Sequence, residues 1–172
     1  IFVYGEQKLR GNSMLLKFQK GFTLMELMIT IVIIAIIAAL ALPSFRNILE
    51  RQRLVGATEH LFANLQFARS EAIKQNQSMR FQFDTNSWCF GVDDDGTDCD
   101  CTTPSTCTVN STQRVINSSD YSNVLLASDL GVANIDFEPR QGFPSTTGTF
   151  TLSINGQSKT VNVNTVGRIK MD

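Results

Sequence analysis

Few residues in this chain have the type and spacing to do chemistry. One glutamate, Glu26, stands inside an apolar run from Phe22 to Leu42, and no lysine or arginine lies between Gly21 and Phe45 to neutralise it. Four cysteines, Cys89, Cys99, Cys101 and Cys107, crowd into one short region. Nucleophilic catalysis is not supported: the single histidine, His60, lies in a helix-patterned stretch, the cysteines are expected to be oxidised, and no Gly-rich phosphate loop occurs. Zinc fares no better, because paired C-x-x-C elements are missing and His60 is remote in sequence, so His60 reads as a surface or hydrogen-bonded side chain. The acidic stretch "DDDGTDCD", Asp93 to Asp100, fails as an EF-hand loop. With Gly96 at the sixth position, Gly91 falls at the first and Thr102 at the twelfth, so both key carboxylates are missing. It reads as a solvated loop stapled by disulfides. No catalytic residue, metal ligand or cofactor is expected.

The elements that position these residues follow from hydropathy. Phe22 to Leu42 is about 21 residues with Glu26 as the only charge, and a helix of that length covers about 31 Å, the thickness of a bilayer's hydrocarbon core. A secretory signal peptide has a shorter apolar region and a small-residue cleavage site, whereas Pro43-Ser44-Phe45 follows here. Lys17 and Lys20 precede the run, which places that end in the cytoplasm and the remainder outside. A carboxylate inside such a helix costs about 2.5–3.5 kcal/mol on insertion scales, so Glu26 calls for a partner or an interfacial position.

The stretch "KGFTLMELMITIVIIAIIAALALPSF" closely resembles the type IV prepilin signature: a short basic leader ending in Gly21, a phenylalanine at the new N-terminus, a glutamate fifth from it, and a proline closing the apolar part. The resemblance implies that a prepilin peptidase cuts between Gly21 and Phe22 and methylates the Phe22 amine. It further implies that Glu26 meets the N-terminal amine of a neighbouring subunit in a filament. Met14 would begin a leader of the usual length, so Ile1 to Ser13 is expected to be upstream sequence from a misplaced start or added in cloning. The expected division is a leader over 1–21, a membrane helix over 22–42 and a periplasmic head over 43–172.

Beyond Pro43 the helical pattern continues, with Leu54, Ala57, Leu61, Leu65, Ala68 and Ala72 at spacings of three and four, which predicts one amphipathic helix to about Gln75. From Ser78 the pattern is that of strands. "MRFQFD" and "SWCFGV" predict a hairpin about Thr85-Asn86, with Phe81, Phe83, Trp88 and Phe90 in the core; "TFTLSI" and "KTVNVN" predict a second about Asn155-Gly156. "NVLLAS", "NIDFEP" and "GRIKM" are further expected strands. The fold class is α+β: a long N-terminal helix packed on an antiparallel, sandwich-like sheet head. An outside location permits disulfides; three pairings are open, and a Cys99–Cys101 bridge is the least favoured because one intervening residue must close the loop.

Three stretches of the head, "LFANLQFARSEAIKQNQ", "FEPRQGFPSTTGTFTL" and "VGRIKMD", resemble the GspH/FimT group of minor pilins and pseudopilins. That resemblance implies a structural subunit at or near the tip of a type IV pilus, or of the pseudopilus of type II secretion. Its partners would be prepilin peptidase, the inner membrane, and other major and minor pilins or pseudopilins. A FimT-like subset binds DNA in natural transformation through a C-terminal G-R-x-R motif, matched here by Gly167, Arg168, Ile169 and Lys170. The final lysine departs from the pattern and cannot reproduce arginine's bidentate fork. From Pro43 onward eleven basic residues face fourteen acidic ones, a net charge of about −3 that works against non-specific DNA affinity. A local patch of Arg140, Lys159, Arg168 and Lys170 is the candidate DNA-binding set, since local field rather than total charge decides.

Overall fold

The computed structural model describes residues 21–94, 96, 99–103 and 106–172, and the side chains of 41–44 are not described. Met14, Lys17, Lys20, Asp95 and Asp98, all used in the sequence reading, lie outside the described residues. Contacts divide the chain at Leu42/Pro43 into two compact units.

The first unit holds the apolar part of α1 (Leu24–Gln75). Thr23 begins the helix: its Oγ1 accepts the Glu26 N–H at 3.2 Å and its carbonyl accepts the Leu27 N–H at 3.1 Å. Thr23 is thus the N-cap and Glu26 the third helical residue, the T-x-x-E spacing of a capping box. Thr30, the other hydroxyl of this segment, returns its Oγ1–H to the Leu27 carbonyl at 2.8 Å. The large apolar side chains of the segment stand exposed, Leu24 at 76% and Ile34 at 64%, and the helix is long and apolar enough to cross a membrane.

In the second unit, the remainder of α1 buries the predicted stripe of Leu54, Ala57, Leu61, Leu65, Ala68 and Ala72, and the helix ends at Gln75 as the periodicity indicates. Thr58, buried on the same face, satisfies its hydroxyl on the Leu54 carbonyl at 2.7 Å. One four-stranded antiparallel sheet runs in the order β5 (Val115–Asn117), β2 (Cys89–Asp93), β1 (Met79–Asp84), β7 (Asn134–Phe137). The other runs β10 (Ile169–Met171), β9 (Gln157–Val163), β8 (Gly148–Ile154), β6 (Leu125–Ser128). A small hairpin, β3 (Thr108–Val109) and β4 (Thr112–Gln113), completes the described strands. Alternation sends Met79, Phe81 and Phe83 inward. Phe150 from the second sheet meets Phe81 and Phe83 edge-on, with centroids 6.0 and 4.9 Å apart, so aromatic rings join the two sheets into one core.

Both predicted hairpins form. At the second, Asn155 (φ 45°) and Gly156 (φ 80°) make the two-residue turn with both central residues left-handed, as the Asn-Gly pair foretells. The first differs from expectation. The strand does not begin at Ser87, because the connection is four residues long: Asp84 Oδ1 accepts the Asn86 N–H at 2.8 Å, and Trp88 sits at φ 49° before β2 starts. Trp88 is buried nonetheless, against Phe90 and Tyr121.

Candidate functional site

Two regions hold the residues singled out in the sequence. At the N-terminal end, none of the described residues comes within 4 Å of where a Gly21 side chain would sit, and Phe22 is 81% exposed. The fold itself imposes neither residue. Glu26 is exposed in the first turn of α1, where unpaired N–H groups and the positive end of the helix dipole favour a carboxylate by about 0.3–1 kcal/mol. That offsets part of its cost in lipid and explains tolerance through local geometry, a signal present in T-x-x-E but unused in the sequence reading.

The second region lies where α1, the Glu138–Phe143 turn and the Asn164–Arg168 turn converge. Asn164 organises its turn: its carbonyl accepts the Gly167 N–H at 2.9 Å and its Oδ1 accepts the Arg168 N–H at 2.7 Å. In the other turn the Glu138 carbonyl accepts the Gly142 N–H at 3.0 Å. Arg69 reaches across from α1, donating from Nη2 to the Val166 carbonyl at 3.3 Å, while its Nε is buried without a hydrogen-bond partner. Gly167, at φ 72°, is required here, because a Cβ would meet the Gly142 carbonyl oxygen inside the 3.0 Å limit and Arg69 Nε at 2.9 Å. Arg69, 97 residues before Val166 in sequence, was not anticipated. Its only sequence trace is its place within "LFANLQFARSEAIKQNQ".

The four predicted cations are not one patch. Arg140 and Arg168 are exposed on the two converging turns, and Lys170 is exposed one residue beyond the buried Ile169. Lys159 stands apart. It pairs with Leu152 in the sheet and lies with Arg51, Leu54, Val55 and Asp172, about 16 Å along β9 from the Asn164 turn. It also shares the face of the buried Val161 and Val163, whereas Lys170, opposite Asn162, is on the other face. Strand alternation, applied to "KTVNVN", would have revealed this.

The cysteines form Cys89–Cys101 and Cys99–Cys107 bridges, with Cα–Cα distances of 5.6 and 4.8 Å, leaving no free thiol. Among the described residues no cluster of metal-ligating side chains occurs. The described aspartates serve backbone geometry instead. Asp94 Oδ2 accepts the Asn110 N–H at 2.6 Å, and Asp100 Oδ1 accepts the Thr102 N–H at 2.9 Å. Bonds from the Thr102 hydroxyl and N–H and from Thr103 hold the Asp100 carboxyl below its ordinary pKa; Ser87 and Asn86 do the same for Asp84. These two carboxylates border a groove of ≈ 720 Å³ beside Gln82 and Asn134. His60 is exposed and meets Tyr121 edge-on at 5.6 Å.

A capped apolar helix followed by an amphipathic half and two antiparallel sheets is a type IV pilin-like fold. Comparison with known proteins makes the class specific. The family described as "Type II transport protein GspH" matches residues 57–167, and the "Prokaryotic N-terminal methylation motif" matches residues 16–42. The chain belongs to the GspH family. Its fold is similar to that of the type IV minor pilin FimU of Pseudomonas aeruginosa, with a TM-score of 0.55, 22% identity, and coverage of 72% of this chain and 90% of that one. Fimbrial protein EcpC of Eikenella corrodens is 54% identical over 41 residues, 24% of this chain and 27% of that protein. A fimbrial protein of Pseudomonas aeruginosa is 39% identical over 64 residues, 37% of this chain. The chain thus spans 27% and 41% of the length of these two relatives.

Proposed function

We propose that the chain is a minor pilin or pseudopilin subunit of a type IV pilus or of a type II secretion pseudopilus. In this reading prepilin peptidase removes residues 1–21 and leaves an N-methylated Phe22. Residues 22–42 hold the subunit in the inner membrane with the head, 43–172, in the periplasm. Glu26 then meets the N-terminal amine of a neighbouring subunit and sets the register of assembly. The observation that carries the reading is Glu26 itself: an acid at the third position of an apolar helix, with no basic residue between Gly21 and Phe45 to pair with it. Glycine at position 21, unconstrained by the fold, fits recognition from outside the chain. Intact-mass and N-terminal fragmentation spectra of the protein co-expressed with its peptidase test this. Methylated Phe22 is expected, and an uncleaved chain, or cleavage elsewhere, refutes it.

A second reading, in which the head contacts DNA during uptake, is favoured by one observation: Arg140 and Arg168 converge on the turns that Arg69 joins, with Lys170 close by in sequence. Such contacts would be to phosphates and indifferent to base sequence. Affinity would then fall with salt at a slope of about −0.9 per phosphate contacted. The double change Arg168→Gln with Lys170→Gln should abolish a shift of labelled duplex, and Lys159→Gln should not. The absence of any shift by the unaltered protein at low salt removes this reading.

A further inference from the structure

The Arg69 junction carries more than cations. Ile73, one turn after Arg69 on α1, is 45% exposed; Phe143, next to Gly142, is 36% exposed; Val166, whose carbonyl Arg69 holds, is 55% exposed. Ile73 Cδ1 lies 3.0 Å from where a Gly142 Cβ would be, and Gly142 abuts Gly167. Three large, partly exposed apolar residues, distant in sequence, therefore belong to the elements of one junction: Ile73 touches it with its side chain, while Phe143 and Val166 belong to its two turns, which also carry the exposed Arg140 and Arg168. Glu138 is the only acid in either turn.

From this arrangement we infer that the junction is a protein-docking surface, and that its occupant is the head of a neighbouring filament subunit presenting an apolar side chain flanked by carboxylates. The inference rests on the filament-subunit reading above. Apolar side chains rimmed by polar groups mark contact sites, and arginine and aromatic residues are enriched in protein interfaces. A nucleic acid backbone gives Ile73, Phe143 and Val166 nothing to bury against, so the apolar group favours protein over DNA. The arginines fix the sign of the partner. Covering Arg140 and Arg168 removes water from two guanidinium groups, which is favourable only where carboxylates replace it, and the planar fork suits carboxylate oxygens in pairs. Arg69 prepares the surface before contact: it ties both turns to α1 through its guanidinium and its passage between two glycines, so little ordering remains for the partner to impose.

The test places a photo-reactive benzoylphenylalanine at Val166, and separately at Ile73, in the full-length chain. Filaments are irradiated in living cells and the captured peptide is identified by mass spectrometry. Leu125, a 68% exposed apolar residue on the far edge strand of the second sheet, serves as the comparison position. The expected result is capture, from positions 73 and 166 and not 125, of a peptide from another subunit bearing its own prepilin signature, with Asp or Glu beside an apolar residue. Arg140→Glu combined with Arg168→Glu should lower capture at least about tenfold, roughly 1.4 kcal/mol of contact free energy, and changing the captured carboxylate to arginine should restore it. Incorporation into filaments without capture, capture equal at position 125, a captured peptide lacking an acid, or cross-links to DNA alone each overturns the docking surface while leaving the filament reading intact. Absence of the subunit from filaments overturns both.

Discussion

Replacing Gly167 with alanine separates backbone strain from crowding. A Cβ at this position meets two obstacles: a φ of 72°, and the Gly142 carbonyl with Arg69 Nε behind it. The left-handed conformation costs a non-glycine residue about 1–2 kcal/mol. Forcing atoms into a filled site adds about 1–3 kcal/mol, because one obstacle is backbone and cannot rotate away. The expected loss is about 2–5 kcal/mol, a large share of the stability of a domain this size. Gly131 supplies the control. Its φ is 69°, nearly the same, but nothing lies within 4 Å of its Cβ position, so Gly131→Ala carries the conformational cost alone. Urea unfolding followed by Trp88 fluorescence measures both, since this sole tryptophan is buried in the core. Gly167→Ala should unfold at a lower urea midpoint than Gly131→Ala, by about 1–3 kcal/mol once multiplied by the shared slope. Equal midpoints would refute the claim that the two glycine turns and Arg69 form a closed, rigid junction.

Glu26→Val should insert into the membrane at least as well as the parent, since the desolvation cost is gone, yet fail to enter filaments; normal amounts of the variant in purified filaments would end the registration role. Cys99→Ser with Cys107→Ser removes a bridge spanning 8 residues and should cost about 2.5 kcal/mol in a chain-entropy estimate, read by the same urea titration. Acid should loosen the disulfide loop in a defined window. The Asp84 and Asp100 carboxyls are depressed in the folded state, so their stabilisation is present above the unfolded value near 3.9 and is lost as pH falls through the lower folded values. Amide exchange at Asn86 and Thr102 should rise over that window, and Asp100→Asn should remove the pH dependence at Thr102.

How much of this was legible before any coordinates depended on the range of the signal. The stripe Leu54 to Ala72, the Asn155-Gly156 turn and the inward aromatics are local patterns, and each formed as read. The helix ran through Pro43 to Gln75 as its periodicity indicated. The short strands β3, β4 and β5 escaped because two or three residues carry no usable alternation. Cysteine pairing was open in sequence because spacing excludes only the tightest loop, and folding alone selected Cys89 with Cys101. At the candidate surface, Arg168 was visible through its motif. Arg69 was not, since its partner Val166 is 97 residues away and no pattern in either stretch announces the other. Lys159 parts from Lys170 for a different reason: alternation along β9 puts it on the face of Val161 and Val163, which a count of charges does not register.

The sheet registers also set an order of events. In β8–β9 the paired residues are close in sequence, from Ile154 with Gln157 to Gly148 with Val163, whereas β1 must find β7 across the span from Gln82 to Asn134. The entropy of closing that long loop exceeds that of the hairpin turn by about 2.5 kcal/mol, and hairpins form in about 1–10 μs. The Asn155-Gly156 hairpin is therefore the natural first structure of the head. The partnership of β2 with β5 is intermediate, with Gly91 opposite Val115, and the Cys89–Cys101 bridge lies across the very segment that this pairing must close. Oxidation before that strand docks shortens the search, whereas a reduced chain leaves β2 and its sheet edge waiting. The timing of bridge formation then governs how long those strand edges remain open to the wrong partner.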